Sequence, residues 1–321
     1  MHPRTCVITV NYRCASDTAA CLESLKFSTV PVKTVVVDNT PNDPALTNAI
    51  ENFESSKIIR APENLGFGRG NNLGIDWALL HTDCEFLLIL NNDTTIWPDA
   101  IEQMEASMDN HPEASIVTGR IVFAENESIL WYGGGEINWK RGGAIVPGIM
   151  GSANSELAMT PREVGFASGC TMLIRRKVLN IIGGFDPLFF MYEEDVDLSL
   201  RARSIGPIYY EPEALVFHKV RGSQRKEGQE FQGRWSSKNP NYVFHTYQMV
   251  RSAIINARRH AKGNSRLEFV FFYPAFVLRK VLLAARSIGL ESIKPVIRGA
   301  ISGFKEDISV TNENRDPAGK K

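Results

Sequence analysis

The 321-residue sequence predicts an α/β fold: a mixed, mainly parallel central sheet flanked by helices, with a C-terminal helical extension. Three observations carry that expectation. Apolar runs of strand length alternate with helical patterns over the first hundred residues, an order that demands a parallel sheet. Two of those runs stop at oxygen-rich clusters, Val36-Val37-Asp38-Asn39 and Leu90-Asn91-Asn92-Asp93, and open sheets bind ligands at their strand ends. Beyond about Tyr242 the pattern turns helical as far as Lys305.

The elements follow in order. Thr5 to Tyr12 reads as the first strand, and a helix from about Ser16 to Lys26 turns Leu22 and Leu25 inward. Val32 to Val37 is the second strand, ending in Asp38-Asn39 and the turn residues Thr40 to Pro44. A helix and the short strand Lys57 to Arg60 come next. A Gly/Asn-rich loop at 64–72 opens a helix through Leu80, and the apolar run after it is a strand ending at Asp93. From Ala114 to about Gly165, short strands with Gly-rich turns suggest a mixed sheet with loops over a cleft. Val164 to Arg175 is a further strand, and Lys177 to Ile182 a short helix stopped by Gly183-Gly184. Ile208–Tyr210 and Ala214–Phe217 are late strands that leave His218 at a strand end.

Composition narrows the class. A hydrophobic content of 43% with 22% charged residues suits a folded globular chain. Five cysteines form no CxxC pair, and their odd number fits a reducing cytoplasm. Met1 to Thr5 leads straight into a strand, so no signal or transit peptide is read there, and no run reaches membrane-spanning length. The net charge of zero hides an asymmetry: residues 1–218 carry 16 Lys/Arg against 28 Asp/Glu, whereas 219–305 carry 17 against 4. An acidic body joined to a basic region calls for an anionic partner surface. Around Leu267 to Leu290, apolar residues interleaved with Lys/Arg fit either an interfacial amphipathic helix or a helix pair capping the core. Arg225-Lys226 and Arg258-Arg259-His260 belong to no nucleic-acid module, so no nucleic-acid partner is expected.

Two acidic clusters carry the chemistry. Met191 to Arg201 places Glu193, Glu194, Asp195 and Asp197 within five positions. On a helix Glu194, Asp197 and Arg201 share a face, and Asp195 projects elsewhere without a cation, as a base would. Acids complementing a helix N-terminus account for the same letters. Asn91-Asn92-Asp93-Thr94 offers hard oxygens to Mg²⁺ or Mn²⁺, with Asp93 as the ligand; a turn plus helix cap before Trp97-Pro98-Asp99 reads the same way.

Taken together, Val7 to Tyr12, Val36 to Asn39, Asn64-Leu65-Gly66-Phe67-Gly68-Arg69-Gly70-Asn71-Asn72, Leu90 to Asp93, Ala167-Ser168-Gly169, Gly184-Phe185-Asp186, Glu194 to Leu198, and His218 with Gly222-Ser223 resemble family 2 glycosyltransferases. The resemblance is to the bacterial rhamnosyltransferase-like branch and spans about Cys6 to Ser223. It implies a GT-A, Rossmann-like nucleotide-diphospho-sugar transferase fold. It implies a catalytic unit over 1–240, with a nucleotide-binding half (1–113) and an acceptor and catalytic half (114–240). A helical, basic extension (241–311) and a mobile tail (312–321) complete the chain.

By the same resemblance the reaction is an inverting sugar transfer to an acceptor hydroxyl. Asn11, Asp38, Asn64, Gly66, Arg69, Asn72 and Asn92 are placed along the donor nucleotide. Asp93 and His218 are placed at a Mg²⁺ or Mn²⁺ ion on the diphosphate. Asp195 is the base, with Glu194 or Glu193 tuning or replacing it. His218 at an exposed strand end, without such a role, is the plainer alternative. Many relatives have Asp-x-Asp where this chain has Asn91-Asn92-Asp93, which makes the ion more dependent on the arriving diphosphate. Asp186 reads as a turn cap, and Trp131, Tyr132 and Trp139 read as core residues or as stacking platforms for acceptor sugars.

The expected substrate is dTDP-rhamnose, with a UDP-hexose or UDP-N-acetylhexosamine as the alternative. The expected acceptor is a cell-surface polysaccharide or lipid-linked saccharide precursor. The expected location is the cytoplasm, peripheral on the inner membrane and against its anionic lipid. A nucleotide-binding membrane adaptor without turnover is the competing class; the presence of both Asp93 and Asp195 counts against it.

Overall fold

The computed structural model describes residues 2–40, 44–51, 53, 56–220 and 241–309; the sequence expectations for Gly222-Ser223, Arg225-Lys226 and the tail 312–321 fall outside them. The first half alternates as its pattern requires: β1 (Thr5–Asn11), α1 (Ala15–Lys26), β2 (Val32–Asp38), α2 (Pro44–Ala49), β3 (Ser56–Arg60), α3 (Gly66–His81) and β4 (Phe86–Leu90). β1 lies parallel between β2 and β4, and β3 lies parallel to β2. All five residues of β4 are buried, as expected of a strand covered on both faces.

The second half adds β5 (Thr94–Ile96), α4 (Ala100–Asn110), β6 (Ile116–Phe123), β7 (Asn126–Tyr132), β8 (Glu136–Asn138), β9 (Gly143–Ile145), α5 (Glu156–Met159), β10 (Arg162–Glu163), β11 (Thr171–Arg175), α6 (Arg176–Ile182), α7 (Glu194–Ala202) and β12 (Ile208–His218). The large sheet runs β10-β12-β6-β11-β4-β1-β2-β3, with β5 on β12 and β7 on β6. It is mixed because β11 lies antiparallel to both β4 and β6. Three helices close the chain: α8 (Tyr242–His260), α9 (Asn264–Ser287) and α10 (Ile293–Lys305). They build a small second core around Tyr242, Ile254, Phe269 and Val296, into which Trp139 packs.

Four expectations are corrected. Gly66 to Asn72 is the start of α3, not a loop. A Cβ on Gly74 would strike the Ile8 side chain, and one on Gly70 would press on Val10. These glycines therefore let a helix lie directly on β1, which outweighs their poor helix propensity. The fourth strand ends at Leu90, and Asn91-Asn92-Asp93 forms a turn in which the Thr94 N–H donates to the Asn91 carbonyl at 3.3 Å. Val164 to Cys170 is irregular; the strand begins only at Thr171, because the Gly169 N–H donates to Asp195 instead of a ladder. The two late strands are one, with a register shift between Glu211 and Leu215 around Pro212.

Candidate active site

The C-terminal ends of β1, β2 and β4 and the first turns of α1 form a polar row. Asn92 Nδ2 donates to Thr18 Oγ1 at 3.0 Å, and Thr18 Oγ1 donates to Asn11 Oδ1 at 2.9 Å. Asn11 Nδ2 in turn faces Asp38 Oδ1 at 3.5 Å, an oxygen that also accepts from the Thr40 N–H at 3.1 Å. Asn11, Thr18 and Asp38 are all buried, so the row is a fixed floor joining Asp38 at one end to Asn92 and Asp93 at the other. Beside it Asn39 clasps the start of α3. Its Oδ1 accepts from the Leu65 N–H, and its Nδ2 donates to Asn64 Oδ1 and to the Gly66 carbonyl. Gly66 turns there at φ +78°, where a Cβ would run into the Phe190 carbonyl.

At the far end, His218 Nε2 lies 3.2 Å from Asp93 Oδ1. Strand pairing explains the meeting: His218 ends β12 opposite Thr94, and the Lys219 N–H donates to the Asp93 carbonyl at 2.9 Å. Burial opposes charge on the imidazole, but the Cys170 sulfur and the Asp93 carboxylate outweigh it and raise His218 above the ordinary histidine range, so the ring must give up a proton before a metal ion can take its nitrogen. Trp131 packs edge-on against the imidazole, with centroids 4.5 Å apart. The pair fits a hard divalent ion. One carboxylate oxygen and one ring nitrogen converge, and among the described residues no third acid, histidine or cysteine completes a protein-only cage. The remaining positions would fall to water and a diphosphate, the usual arrangement for Mg²⁺.

The second acidic cluster reaches the same strand ends through the irregular segment before β11. The Asn91 N–H donates to the Cys170 carbonyl at 3.0 Å, and the neighbouring Gly169 N–H donates to Asp195 Oδ2 at 3.0 Å. Burial pushes the Cys170 thiol up, His218 pulls it down, and the charges of Asp93 and Asp195 both add to the rise. Asp195 is half-buried, accepts the Val196 N–H at 2.9 Å through Oδ1, and has no cation among the described residues. Tyr192 and Glu193, just ahead of α7, hold left-handed backbone at φ +69° and +70°, a costly conformation for residues with a Cβ. Asn256 of α8 braces it by donating to the Glu193 carbonyl at 2.9 Å.

The acids differ in charge state. Burial raises Asp195 above the usual aspartate value, against the Gly169 and Val196 N–H groups that favour its ionised form. Burial raises Glu194 much further, helped by the charges of Asp195 and Glu193, and its Oε2 has no hydrogen-bond partner. Asp197 goes the other way. Burial works against its charge but loses to His260 Nε2 at 2.9 Å and Arg201 Nε at 2.8 Å, with Arg259 Nη1 at 3.3 Å, so its carboxyl falls to about 2.

Of the residues singled out from sequence, Asn11, Asp38 and Asn92 are joined along the strand-end floor, and Asp93 follows Asn92 and meets His218. Asp195 reaches the same strand ends through Gly169, next to the Cys170 that bonds Asn91; Glu194 precedes Asp195 on α7. Asn64 and Gly66 flank it, and Arg69 is exposed on the first turns of α3. Asn72 stands apart, its amide spent on the Phe185 backbone by two bonds of 2.8 Å. Tyr132 is core, Trp139 joins the C-terminal helices, and Asp186 caps the Leu188 N–H while pairing with Arg259. Thr18 was not anticipated, and Asn39, quoted in the cluster after the second strand, was given no role of its own: a threonine inside a helix carries no signal until the fold joins it to the strand ends. The Asp17–Lys219 pair at 2.7 Å, beside His218, is equally invisible in sequence.

Residues 6–183 match the model of the family described as Glycosyl transferase family 2. The chain is 27% identical over 231 residues to the N-acetylglucosaminyl-diphospho-decaprenol L-rhamnosyltransferase of Mycobacterium tuberculosis, covering 66% of this chain and 75% of that protein. Among solved structures, S. aureus TarS superposes with a TM-score of 0.56 at 17% identity over 95% of this chain, which spans 50% of the TarS chain. The mannosyltransferase PcManGT from Pyrobaculum calidifontis, in complex with GDP-Man and Mn²⁺, gives a TM-score of 0.57 at 14% identity, covering 95% of this chain and 89% of that one. At these identities the two superpositions speak for the fold.

Proposed function

The chain belongs to glycosyl transferase family 2, and on that premise we propose that it transfers rhamnose from dTDP-rhamnose, with inversion, to a saccharide carried on a lipid diphosphate. The observation that carries the chemistry is Asp195, half-buried, without a cation among the described residues, and held by the Gly169 N–H next to the Cys170 that bonds Asn91 at the strand ends. The M. tuberculosis relative, by its name, makes a rhamnosyl transfer to an N-acetylglucosaminyl-diphospho-lipid. That supports rhamnose as donor sugar and such a lipid as acceptor.

Each group has a task. The floor from Asp38 to Asn92 receives the nucleotide, its base toward Asp38 and its diphosphate toward Asp93, with Arg69 available to the phosphates. Asp93 and His218 would hold Mg²⁺ or Mn²⁺, whose chemistry there is to offset charge on the departing diphosphate. Asp195 takes the proton of the acceptor hydroxyl while the hydroxyl oxygen bonds to the anomeric carbon, and the bond from that carbon to the phosphate oxygen breaks on the opposite face. Water-soluble donor and lipid-borne acceptor meet at the cytoplasmic face of the membrane. No described helix is long and apolar enough to cross one.

The test is to supply the full chain with dTDP-rhamnose, a divalent salt and a prenyl-diphosphate N-acetylglucosamine, and to read the product by mass spectrometry and its anomeric configuration by NMR. A rhamnosylated lipid of inverted configuration is expected. Turnover with UDP-hexoses alone would replace the donor, a retained configuration would remove Asp195 as base, and no transfer from any nucleotide sugar would remove the reading.

A further inference from the structure

The described surface holds one unusual feature apart from the site, the outward face of α9. Its inward side is conventional, with Phe269, Tyr273, Val277 and Ala284 packed into the second core. The opposite side should be polar and is not. Leu267, Phe271, Leu278 and Leu282 recur at spacings of four, seven and four, which on a helix is a single stripe, and they are 69%, 78%, 57% and 60% exposed. Scattered exposed apolar residues need no explanation, whereas a stripe several turns long marks a surface that something covers. α10 repeats the device over a shorter span with Ile297, Ile301 and Phe304.

The charges beside the stripes identify what covers them. Arg266, Arg279 and Arg286 are exposed along α9, and Lys294, Arg298 and Lys305 along α10. Between Asn264 and Lys305 seven Lys/Arg face two Asp/Glu, and one of the two, Glu268, pairs with Lys140 at 3.2 Å. A second copy seated here would set two positive faces against each other. Apolar stripes bordered by cations, on helices that are not both long and apolar enough to cross a bilayer, have the chemistry of a helix lying at an anionic lipid surface.

We propose that the outward faces of α9 and α10 dock this protein on an anionic bilayer, with Phe271 and its neighbours among the acyl chains and the flanking Lys/Arg at the headgroups. The purpose of docking rests on the lipid-borne acceptor proposed above; the binding itself does not. The surface is tied to the catalytic helix by direct contacts. Tyr247 of α8 donates to Ser302 of α10 at 2.9 Å, and Arg258 donates to the Gly303 and Glu306 carbonyls at 2.8 Å. Further along α8, Asn256, Arg259 and His260 grip Glu193 and Asp197. Docking therefore sets the position of Asp195 relative to the membrane.

The experiment is co-sedimentation of the full chain with vesicles of phosphatidylcholine alone, or mixed with phosphatidylglycerol, without donor or acceptor. Binding to the mixed vesicles is expected, at least tenfold weaker for F271S/L278S and roughly fivefold weaker for each residue neutralised in R279Q/R298Q. Melting temperature and transfer to a water-soluble acceptor should stay unchanged in both variants. Equal vesicle binding by wild type and F271S/L278S would overturn the proposal. So would a wild-type dimer, seen by sedimentation equilibrium, that the same variant dissolves. Vesicle binding without transfer to any acceptor would sink the proposed function and leave the docking surface standing.

Discussion

The two faces of α7 use the same residue type for opposite ends. Toward the sheet, Asp195 is half-buried, accepts only backbone N–H groups among the described residues, and is pushed up in pKa by burial. Toward α8, two positions on, Asp197 is fully buried, touches Arg201, Arg259 and His260, and is pulled down to about 2. The difference teaches that the location of the cations, and not the density of acids, separates a proton acceptor from an anchor. A carboxylate held between two guanidinium groups and an imidazole has no reason to take a proton; one met, among the described residues, by backbone dipoles does.

Substitutions on the two faces should separate cleanly. D195N removes the proton acceptor, and transfer should fall by roughly 10²–10⁴, the usual contribution of a positioned base. Its melting temperature should hold or rise, because a carboxylate disfavoured by burial becomes neutral; comparable losses of fold and rate would break the contrast. D197N should cost about 3–5 kcal/mol in urea unfolding, because the partly buried Arg201 and Arg259 lose a counter-charge that is itself fully buried. The same residue makes stability pH-dependent. Its folded carboxyl lies near 2, below the ordinary aspartate value, so its contribution is complete above about 4 and is lost as pH falls from there toward 2. In D197N that part of the acid limb of the stability curve should flatten.

What the sequence disclosed and what it hid follow from the range of the interactions. Local spacing was enough for the Asp197–Arg201 pair at i, i+4, for Leu22 and Leu25 facing inward, and for the parallel half of the sheet, since alternation leaves no other connection. It was enough to leave His218 at a strand end, though not to show Asp93 opposite it, which depends on β12 pairing with β5. Long-range contacts were hidden. Arg259 and His260 read as part of a basic run, yet Arg259 pairs with Asp186 and His260 meets Asp197, each more than sixty residues away. Gly66 to Asn72 read as a loop because glycine disfavours helices, a preference that gave way to close approach between α3 and β1.

Glu194 supplies the smallest effect and the sharpest test of the contrast. Asp195 must be ionised to accept a proton, and burial holds its pKa up, so kcat/KM should fall as pH drops through a value above the ordinary 3.9 or so for aspartate. Glu194 is pushed further up by burial and by Asp195 itself, so of the two it is the one that holds its proton to higher pH. Glutamine reproduces a protonated glutamate in shape and charge, so E194Q should change the rate by only a few-fold and leave the acid limb in place. If Glu194 were ionised beside Asp195, removing its charge would let Asp195 ionise more readily and would carry the limb to lower pH. A pH profile of kcat/KM for wild type and E194Q separates the two cases, and a limb displaced toward acid would mean that the two carboxylates share their charge instead of dividing the roles of base and buried acid.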